Sequence, residues 1–220
     1  MPRPTAQIES TGSSLLGAWR EEADRLDLAA YAAIAATPTP TMDAGLRRLS
    51  RAADKSRLWL GSAALLAVVG GERGRAAAVN GLASIALASA VVNLVLKPLG
   101  DRRRPDRRTY AVPLARQVTM PQSTSWPSGH SASAFAFATG VGAAWPGAGV
   151  PLSVVASLVA YSRVHTGVHY PSDAIAGTVS GVALAPLAVA AVGRARRSWS
   201  GRRDGVSAQA NMRGVRGRIT

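Results

Sequence analysis

Five apolar stretches separated by polar segments dominate the middle of the chain. They cover residues 58–71, 76–96, 129–145, 150–161 and 174–193. The second has about the twenty residues that a membrane-spanning helix needs. Neither it nor the fifth carries the charged face that a helix in a soluble bundle would show. The pattern predicts an all-α, polytopic membrane bundle of about five transmembrane helices, the shorter ones packed among neighbours.

The two ends of the chain are polar and set the predicted domain boundaries. Residues 1–57 are expected to form an N-terminal arm, mobile at its start, with interfacial or amphipathic helices. Residues 58–193 would form the transmembrane domain, and 194–220 a basic, disordered tail. Charges close to the first methionine argue against a cleaved signal peptide. Within the arm, 43–57 sets leucines among basic residues, which is typical of a helix at a membrane surface or of an ordinary solvated helix.

Charge and composition narrow the functional classes. The formal net charge of +14 would suit a nucleic acid, an anionic membrane or a phosphorylated substrate. The basic residues, however, crowd into the chain ends and 97–116 instead of striping the predicted helices, so no nucleic-acid partner is expected. The chain has no cysteine. Disulfides, thiolate catalysis and cysteine-based zinc sites are therefore excluded.

Polar side chains collect where the predicted helices begin and end. If each helix reverses direction, the end of the second, the start of the third, the end of the fourth and the start of the fifth lie at one membrane face. The polar residues at these four places are Lys97, Arg104, Ser128, Gly129, His130, Arg163, His169 and Asp173. The pattern predicts one active site at that face.

The residue types at this face suit phosphate chemistry. Lysine and arginine neutralise phosphoryl oxygens, and Gly129 opens a helix whose free N–H groups attract anions, with the Ser128 hydroxyl beside them. One histidine can attack phosphorus and another can move protons, while Asp173 can fix the tautomer of the attacking ring four residues earlier. No carboxylate cluster suited to Mg²⁺ is apparent. A metal-independent phosphatase without a cofactor is therefore predicted.

Three sequence strings resemble the signature motifs of a known family. They are KPLGDRRRP at 97–105, PSGH at 127–130 and SRVHTGVHYPSD at 162–173. They match the patterns K-x6-RP, PSGH and SR-x5-H-x3-D of the type 2 phosphatidic acid phosphatase (PAP2) superfamily without a gap or substitution. The resemblance covers about residues 58–193.

The resemblance implies a role for each of these residues. In a helical core, His169 would form a phosphohistidine and Asp173 would orient it. His130 would protonate the leaving group and later activate water. The residues expected to hold the phosphoryl oxygens are Lys97, Arg104, Ser128, Gly129 and Arg163. The expected partners are a lipid phosphate and the bilayer.

The sequence from LDLAAYAAIAA through SRLWL to the tail is also similar to the phosphatase half of actinobacterial proteins that fuse this domain to a diacylglycerol kinase-like domain. The chain ends before any kinase, so a stand-alone phosphatase is expected. Its substrate could be phosphatidic acid, phosphatidylglycerol phosphate or a polyprenyl diphosphate.

Two alternative functions stay open. The first is a lipid-phosphate binding or transport protein without catalysis, against which His130, His169 and Asp173 argue, because binding alone needs only the cations. The second is an enzyme like the vanadium haloperoxidases or soluble acid phosphatases of the same superfamily, against which the uninterrupted spans argue.

Neighbouring residues have simpler interpretations. Arg102 and Arg103 are interpreted as surface or lipid-headgroup contacts. His165 precedes His169 by four residues, a spacing that suits a zinc pair on a helix, but the sequence offers no third ligand. Three tryptophans near span ends are interpreted as interfacial anchors: Trp59, Trp126 and Trp145.

Arginine distribution also predicts the orientation in the cell membrane. Eight arginines follow Gly193, and the positive-inside rule places this tail in the cytoplasm. One crossing by 174–193 then makes the catalytic face extracytoplasmic. Five spans would leave the basic residues of 43–57 outside, against the same rule, unless 27–57 adds a crossing.

Overall fold

The chain is built from helices that place their ends around one polar cavity. The computed structural model describes residues 5–216, with side chains described for 17–200, and this part contains no β-strand. The helices are α1 (Thr5–Ala36), α2 (Pro40–Ala52), α3 (Arg57–Val69), α4 (Gly71–Val91), α5 (Lys97–Leu99), α6 (Gly129–Ala144), α7 (Pro146–His165) and α8 (Pro171–Arg216). A π-helical turn joins α4 to α5. The predicted all-α class is confirmed.

Each of the five predicted apolar stretches forms a helix. Among the described residues, three helices are long and apolar enough to cross a membrane, namely Gly71–Leu99, Pro146–His165 and Pro171–Ser200. The other two, α3 and α6, have 13 and 16 residues. Helix α6 packs against α4, α7 and α8, so its neighbours surround it. The chain is a polytopic membrane helix bundle, as predicted.

Close approach of α8 to α6 depends on two glycines one helical turn apart. A Cβ atom on Gly177 would clash with the carbonyl oxygen of Ser128, and one on Gly181 would clash with that of Ala132. Any larger residue at either position would therefore push the helices apart. This contact fixes the start of α8 beside the start of α6.

The bundle core contains a tryptophan that sequence reasoning placed at the membrane interface. Trp59 is 1% exposed, and its ring lies 5.4 Å from that of Phe137 on α6. The interpretation of Trp59 as an interfacial anchor is therefore wrong. Its position near the start of an apolar stretch is shared by anchors and core residues, and only the packing of α3 on the bundle distinguishes them.

The N-terminal segment packs on the end of the bundle where the cavity lies. Tyr31 of α1 is 1% exposed and makes edge-to-face contacts with Tyr110 and Tyr170. Residues 17–26, expected in the mobile start of the arm, belong to α1, because the helix continues without a break into this buried contact.

Helix α8 continues past the transmembrane stretch. Its backbone is helical through Arg216, whereas disorder was expected from residue 194 onward. Arginine, the most frequent residue in 194–216, is a good helix former, so the basic composition is compatible with a continuing helix. The last four residues lie outside the described part. The three-domain division itself stays a prediction.

Candidate active site

A polar cavity of about 200 Å³ opens where α4, α6 and α7 bring their ends together. Its lining includes five of the predicted site residues, namely Lys97, Arg104, Gly129, His130 and His169. The other three, Ser128, Arg163 and Asp173, are buried behind the lining. The structure therefore gathers all eight predicted residues at one place, five at the surface of the cavity and three supporting it.

His169 is held between an acidic and a basic partner. Its Nδ1 lies 3.5 Å from Asp173 Oδ2, and its Nε2 lies 3.3 Å from Arg104 Nη1. Because a guanidinium can only donate, Nε2 must carry the lone pair and Nδ1 the proton. Asp173 thus selects the tautomer that a nucleophile at Nε2 requires. Ser125, which sequence reasoning did not single out, donates its hydroxyl to the same carboxylate oxygen.

Burial keeps the His169 imidazole uncharged. The ring is 1% exposed, and desolvation lowers its pKa from 6.5 to about 4. The hydrogen bond to Asp173 opposes this shift but does not cancel it. Since a histidine is neutral above its pKa, the Nε2 lone pair is available throughout the physiological pH range.

We expect His169 to stay neutral when the solution is acidified from pH 7 to pH 5. The chain has three histidines, so ¹⁵N NMR of histidine-labelled protein in detergent should resolve each ring. The signals that disappear in His169→Ala are those of His169. In the wild-type protein they should keep the pattern of a neutral ring with its proton on Nδ1 at pH 5, and they should titrate near pH 4. A midpoint near the ordinary value of 6.5 would contradict this account.

Two cations of the cavity have no carboxylate partner among the described residues. Lys97 donates to Ser123 Oγ at 2.8 Å. Arg104 donates to the carbonyl oxygens of Ser123 and Val168, both at 2.8 Å. Partial burial lowers the pKa of Arg104, yet an arginine remains charged. Because carbonyls fix these side chains without neutralising them, their charge is available to an anion in the cavity.

The start of α6 forms another wall of the cavity. Gly129 and His130 line it, and the first turn of a helix carries N–H groups without intrahelical acceptors. Ser128 caps this helix: its Oγ accepts from the Ser131 N–H at 3.4 Å and lies 3.0 Å from the Ser131 hydroxyl. The Ser128 hydroxyl therefore serves the helix end, and its predicted contact with phosphate stays a prediction.

Arg163 and His130 are held from the side of α2. Arg163 donates from Nη1 to Ser50 Oγ at 2.6 Å and lies 3.7 Å from Asp54 Oδ1. The same oxygen of Asp54 lies 2.9 Å from His130 Nε2. Arg163 Nε is buried without a partner in the described part of the chain, which leaves one donor unused. Neither Ser50 nor Asp54 was identified from the sequence.

Arg102 connects α1 to the aspartate behind His169. Its Nη1 donates to Asp173 Oδ1 at 3.1 Å, and its Nη2 donates to Asp27 Oδ2 at 2.6 Å. Asp27 also accepts the backbone N–H of Ser172 at 2.8 Å, at the start of α8. The interpretation of Arg102 as a surface or headgroup contact is wrong, because two carboxylates bind both ends of its guanidinium. Arg103 is exposed.

We expect Arg102→Lys to lower turnover about 10- to 100-fold, similar to the loss seen when a partner that orients a metal-ligating histidine is removed. A single ammonium cannot keep the two-ended bridge between Asp27 and Asp173. Phosphate release by purified protein measures the effect. Arg103→Lys, one residue along, is the matched control and should keep full activity. Equal activity of both variants would show that the bridge has no part in catalysis.

His165 belongs to a separate network. Its Nε2 lies 3.0 Å from Asp43 Oδ1, which also accepts from Arg116 Nε at 2.9 Å. Arg116 is 1% exposed and donates to carbonyl oxygens at the end of α1. This network ties α7 to α1 and α2, so the structure assigns His165 a structural role rather than a zinc pair with His169.

The site combines a buried histidine–aspartate pair with two cations that have no carboxylate partner among the described residues, an arrangement that suits phosphoryl transfer. The sequence model of the PAP2 superfamily matches residues 77–197. Decaprenylphosphoryl-5-phosphoribose phosphatase of Mycobacterium tuberculosis, in strains CDC 1551 / Oshkosh and ATCC 25618 / H37Rv, is 34% identical over 180 residues. The match covers 80% of this chain and 96% of that protein.

Two solved structures share the fold. The crystal structure of Aquifex aeolicus LpxE superposes with a TM-score of 0.58 at 23% identity, covering 74% of this chain and 94% of that one. The first transmembrane PAP2 type phosphatidylglycerolphosphate phosphatase from Bacillus subtilis gives 0.59 at 22% identity, covering 79% and 87%.

The chain belongs to the PAP2 superfamily. It is a membrane phosphatase of the PAP2 type, a hydrolase of phosphate esters, and the predicted family and enzyme class are confirmed at this level.

Proposed function

We propose that this phosphatase removes the terminal phosphate of a membrane lipid, and that the lipid is a polyprenyl phosphate carrying a phosphorylated sugar. The relative from Mycobacterium tuberculosis, matched over 96% of its length, is named for such a substrate. The observation that carries the proposal is the His169 Nε2 lone pair, which lies beside Arg104 in a cavity that Lys97 also lines.

The proposed reaction has two steps. His169 Nε2 attacks phosphorus, the bond from phosphorus to the substrate oxygen breaks, and His130 gives its proton to that oxygen. Water then attacks the phosphohistidine, His130 takes the proton of this water, and inorganic phosphate leaves. Lys97 and Arg104 stabilise the charge on the phosphoryl oxygens, helped by the start of α6. His169 and His130 return to their first states, so atoms and protons balance.

Substrate identity can be tested with detergent-purified protein. Phosphate release is measured from decaprenylphosphoryl-5-phosphoribose, phosphatidic acid, phosphatidylglycerol phosphate and a polyprenyl diphosphate. We expect the first substrate to give the highest kcat/KM. Preference for one of the other three would support the lipid phosphatase activity but show that the proposed class of lipid is wrong. Release from none of them, with p-nitrophenyl phosphate still hydrolysed, would overturn the lipid substrate.

We expect EDTA to leave the activity unchanged and vanadate to inhibit it. Lys97 and Arg104 supply the positive charge that a divalent ion would otherwise bring to the phosphoryl group. Vanadate imitates the five-coordinate phosphorus of the transition state, so it should compete with the substrate. Activity abolished by EDTA and restored by Mg²⁺ would contradict a reaction that uses side-chain cations alone.

We also propose that the catalytic face is extracytoplasmic. The arginines after Gly193 support a cytoplasmic end of α8. The N-terminal helices contact the catalytic end, where several arginines are occupied by hydrogen bonds within the protein. These are Arg102, Arg104, Arg107, Arg116 and Arg163. The chain has no cysteine, so one introduced at Ser198 reports its side directly. Labelling of that cysteine in intact cells by an impermeant reagent would show that the orientation is opposite to the proposed one.

A further inference from the structure

The segment between α2 and α3 forms one wall of the active-site cavity. It is a short 3₁₀ turn, Asp54–Ser56, and Ala53, Lys55 and Ser56 line the cavity. Lys55 and Ser56 have φ angles of 53° and 57°. The left-handed region is unfavourable for residues with a Cβ atom, and such residues concentrate at functional sites. This turn lies outside residues 77–197 and outside all three motifs.

Asp54 makes the direct contact between this turn and the start of α6. Its Oδ1 lies 2.9 Å from His130 Nε2, with 46% of the Asp54 side chain and 24% of the His130 side chain exposed. The hydrogen bond from His130 holds the pKa of Asp54 below its ordinary value, so the carboxylate is charged at neutral pH. Since a carboxylate only accepts, Nε2 carries the hydrogen, and in the neutral ring Nδ1 carries the lone pair.

The contact repeats the arrangement of His169 and Asp173. Each cavity-lining histidine has an aspartate on one ring nitrogen. The two aspartates differ in setting, because Asp173 is fully buried and belongs to the third motif, whereas Asp54 is half-exposed and comes from the N-terminal segment. In such pairs the carboxylate fixes the ring and stabilises the imidazolium that forms when the histidine takes a proton.

We propose that Asp54 is a positioning residue for His130, and this proposal rests on the proposed function. When His130 takes a proton from the attacking water, the Asp54 carboxylate stabilises the resulting cation and receives no proton itself. Arg163 of α7 and Lys97 of α5 both disfavour the imidazolium, and the cations Lys55 and Arg104 line the same cavity as His130. Asp54 is the acidic group that offsets them, and it lies 3.7 Å from Arg163 as well.

The variants Asp54→Asn and Asp54→Glu separate charge from shape. Asparagine keeps the size of the side chain and loses the charge, and glutamate keeps the charge. Asp106→Asn is the matched control, because Asp106 also accepts hydrogen bonds at a turn, from Arg108 N–H and Thr109 Oγ1, whereas Asp54 is the aspartate that contacts His130. Phosphorylation and dephosphorylation are followed separately with p-nitrophenyl phosphate in rapid-quench experiments. This readout does not depend on which lipid is the substrate.

In Asp54→Asn we expect dephosphorylation to slow about 10- to 100-fold while phosphorylation by the activated substrate is nearly unchanged. The acid limb of the dephosphorylation rate should move to lower pH, because the imidazolium loses its carboxylate. Asp54→Glu should recover part of the rate, and Asp106→Asn should behave as wild type. In a His130→Ala background, Asp54→Asn should cause no further loss, since the two residues act as a unit.

Four results would overturn the proposal. The first is an unchanged dephosphorylation rate in Asp54→Asn, the second is an equal further loss when Asp54→Asn is added to His130→Ala, and the third is a slower rate whose acid limb does not move. The fourth is failure of both Asp54 variants to fold while Asp106→Asn folds, which would make Asp54 a structural residue. If wild type hydrolyses p-nitrophenyl phosphate but none of the lipids, the proposed substrate fails and Asp54 can still be judged.

Discussion

His169→Ala should abolish phosphate release from every substrate, the activated ester p-nitrophenyl phosphate included. The imidazole is the proposed nucleophile, and without it no phosphoenzyme can form. Loss of an essential nucleophile typically lowers kcat by at least about 10⁴-fold. The measurement is phosphate release by the purified variant, with circular dichroism to show that the helices are intact.

The matched control is His165→Ala. His165 is as buried as His169, but it contacts Asp43 and does not line the cavity. Asp43 keeps its bonds to Arg116 and Thr39 in this variant, so the protein should fold with reduced stability and retain turnover. Residual turnover in His169→Ala close to that of His165→Ala would show that His169 is not the nucleophile.

His130→Ala should trap the phosphoenzyme. The variant lacks the acid that protonates a poor leaving group, so lipid turnover should nearly cease. The p-nitrophenolate ion needs no proton, so phosphorylation of His169 by that ester should continue. Hydrolysis of the intermediate should be slow, because the same imidazole is proposed to activate water. An acid-labile phosphohistidine should therefore accumulate, and rapid quench with radiolabelled ester measures it.

If the phosphoenzyme accumulated in His165→Ala and not in His130→Ala, the acid–base role would belong to His165, and its assignment to His130 would be wrong. The structure argues against this outcome. His130 lines the cavity with His169, whereas His165 is 1% exposed and bonded to the α2 carboxylate Asp43.

Sequence reasoning placed the helices and the motif residues because both have local signatures. Apolar length marks a membrane helix, and the polar residues fall at the helix ends, where reversing the chain direction brings them to one face. His169 and Asp173 are four residues apart, so sequence spacing keeps them close, although His169 lies in the connector that precedes α8. Lys97 reaches this pair because the continuous helical segment from α4 to α5 and helix α7 end on the same side of the bundle.

The supporting contacts come from residues far apart in the chain, and composition does not reveal them. Asp27 and Arg102 are separated by 75 residues, and Asp54 and His130 by 76. A single aspartate in a polar segment resembles any solvated charge. Its partner is decided by how α1 and α2 pack across the bundle end, and that packing depends on tertiary contacts such as Tyr31 with Tyr110.

In the proposed reaction the phosphoryl group passes through His169. The most direct test is to quench the trapped His130→Ala intermediate, digest it under conditions that preserve phosphohistidine, and locate the phosphoryl group by fragment ions that separate His165 from His169. We expect phosphate on His169 alone. Phosphate on another residue, or no covalent intermediate during measurable turnover of the wild-type protein, would contradict the proposed reaction.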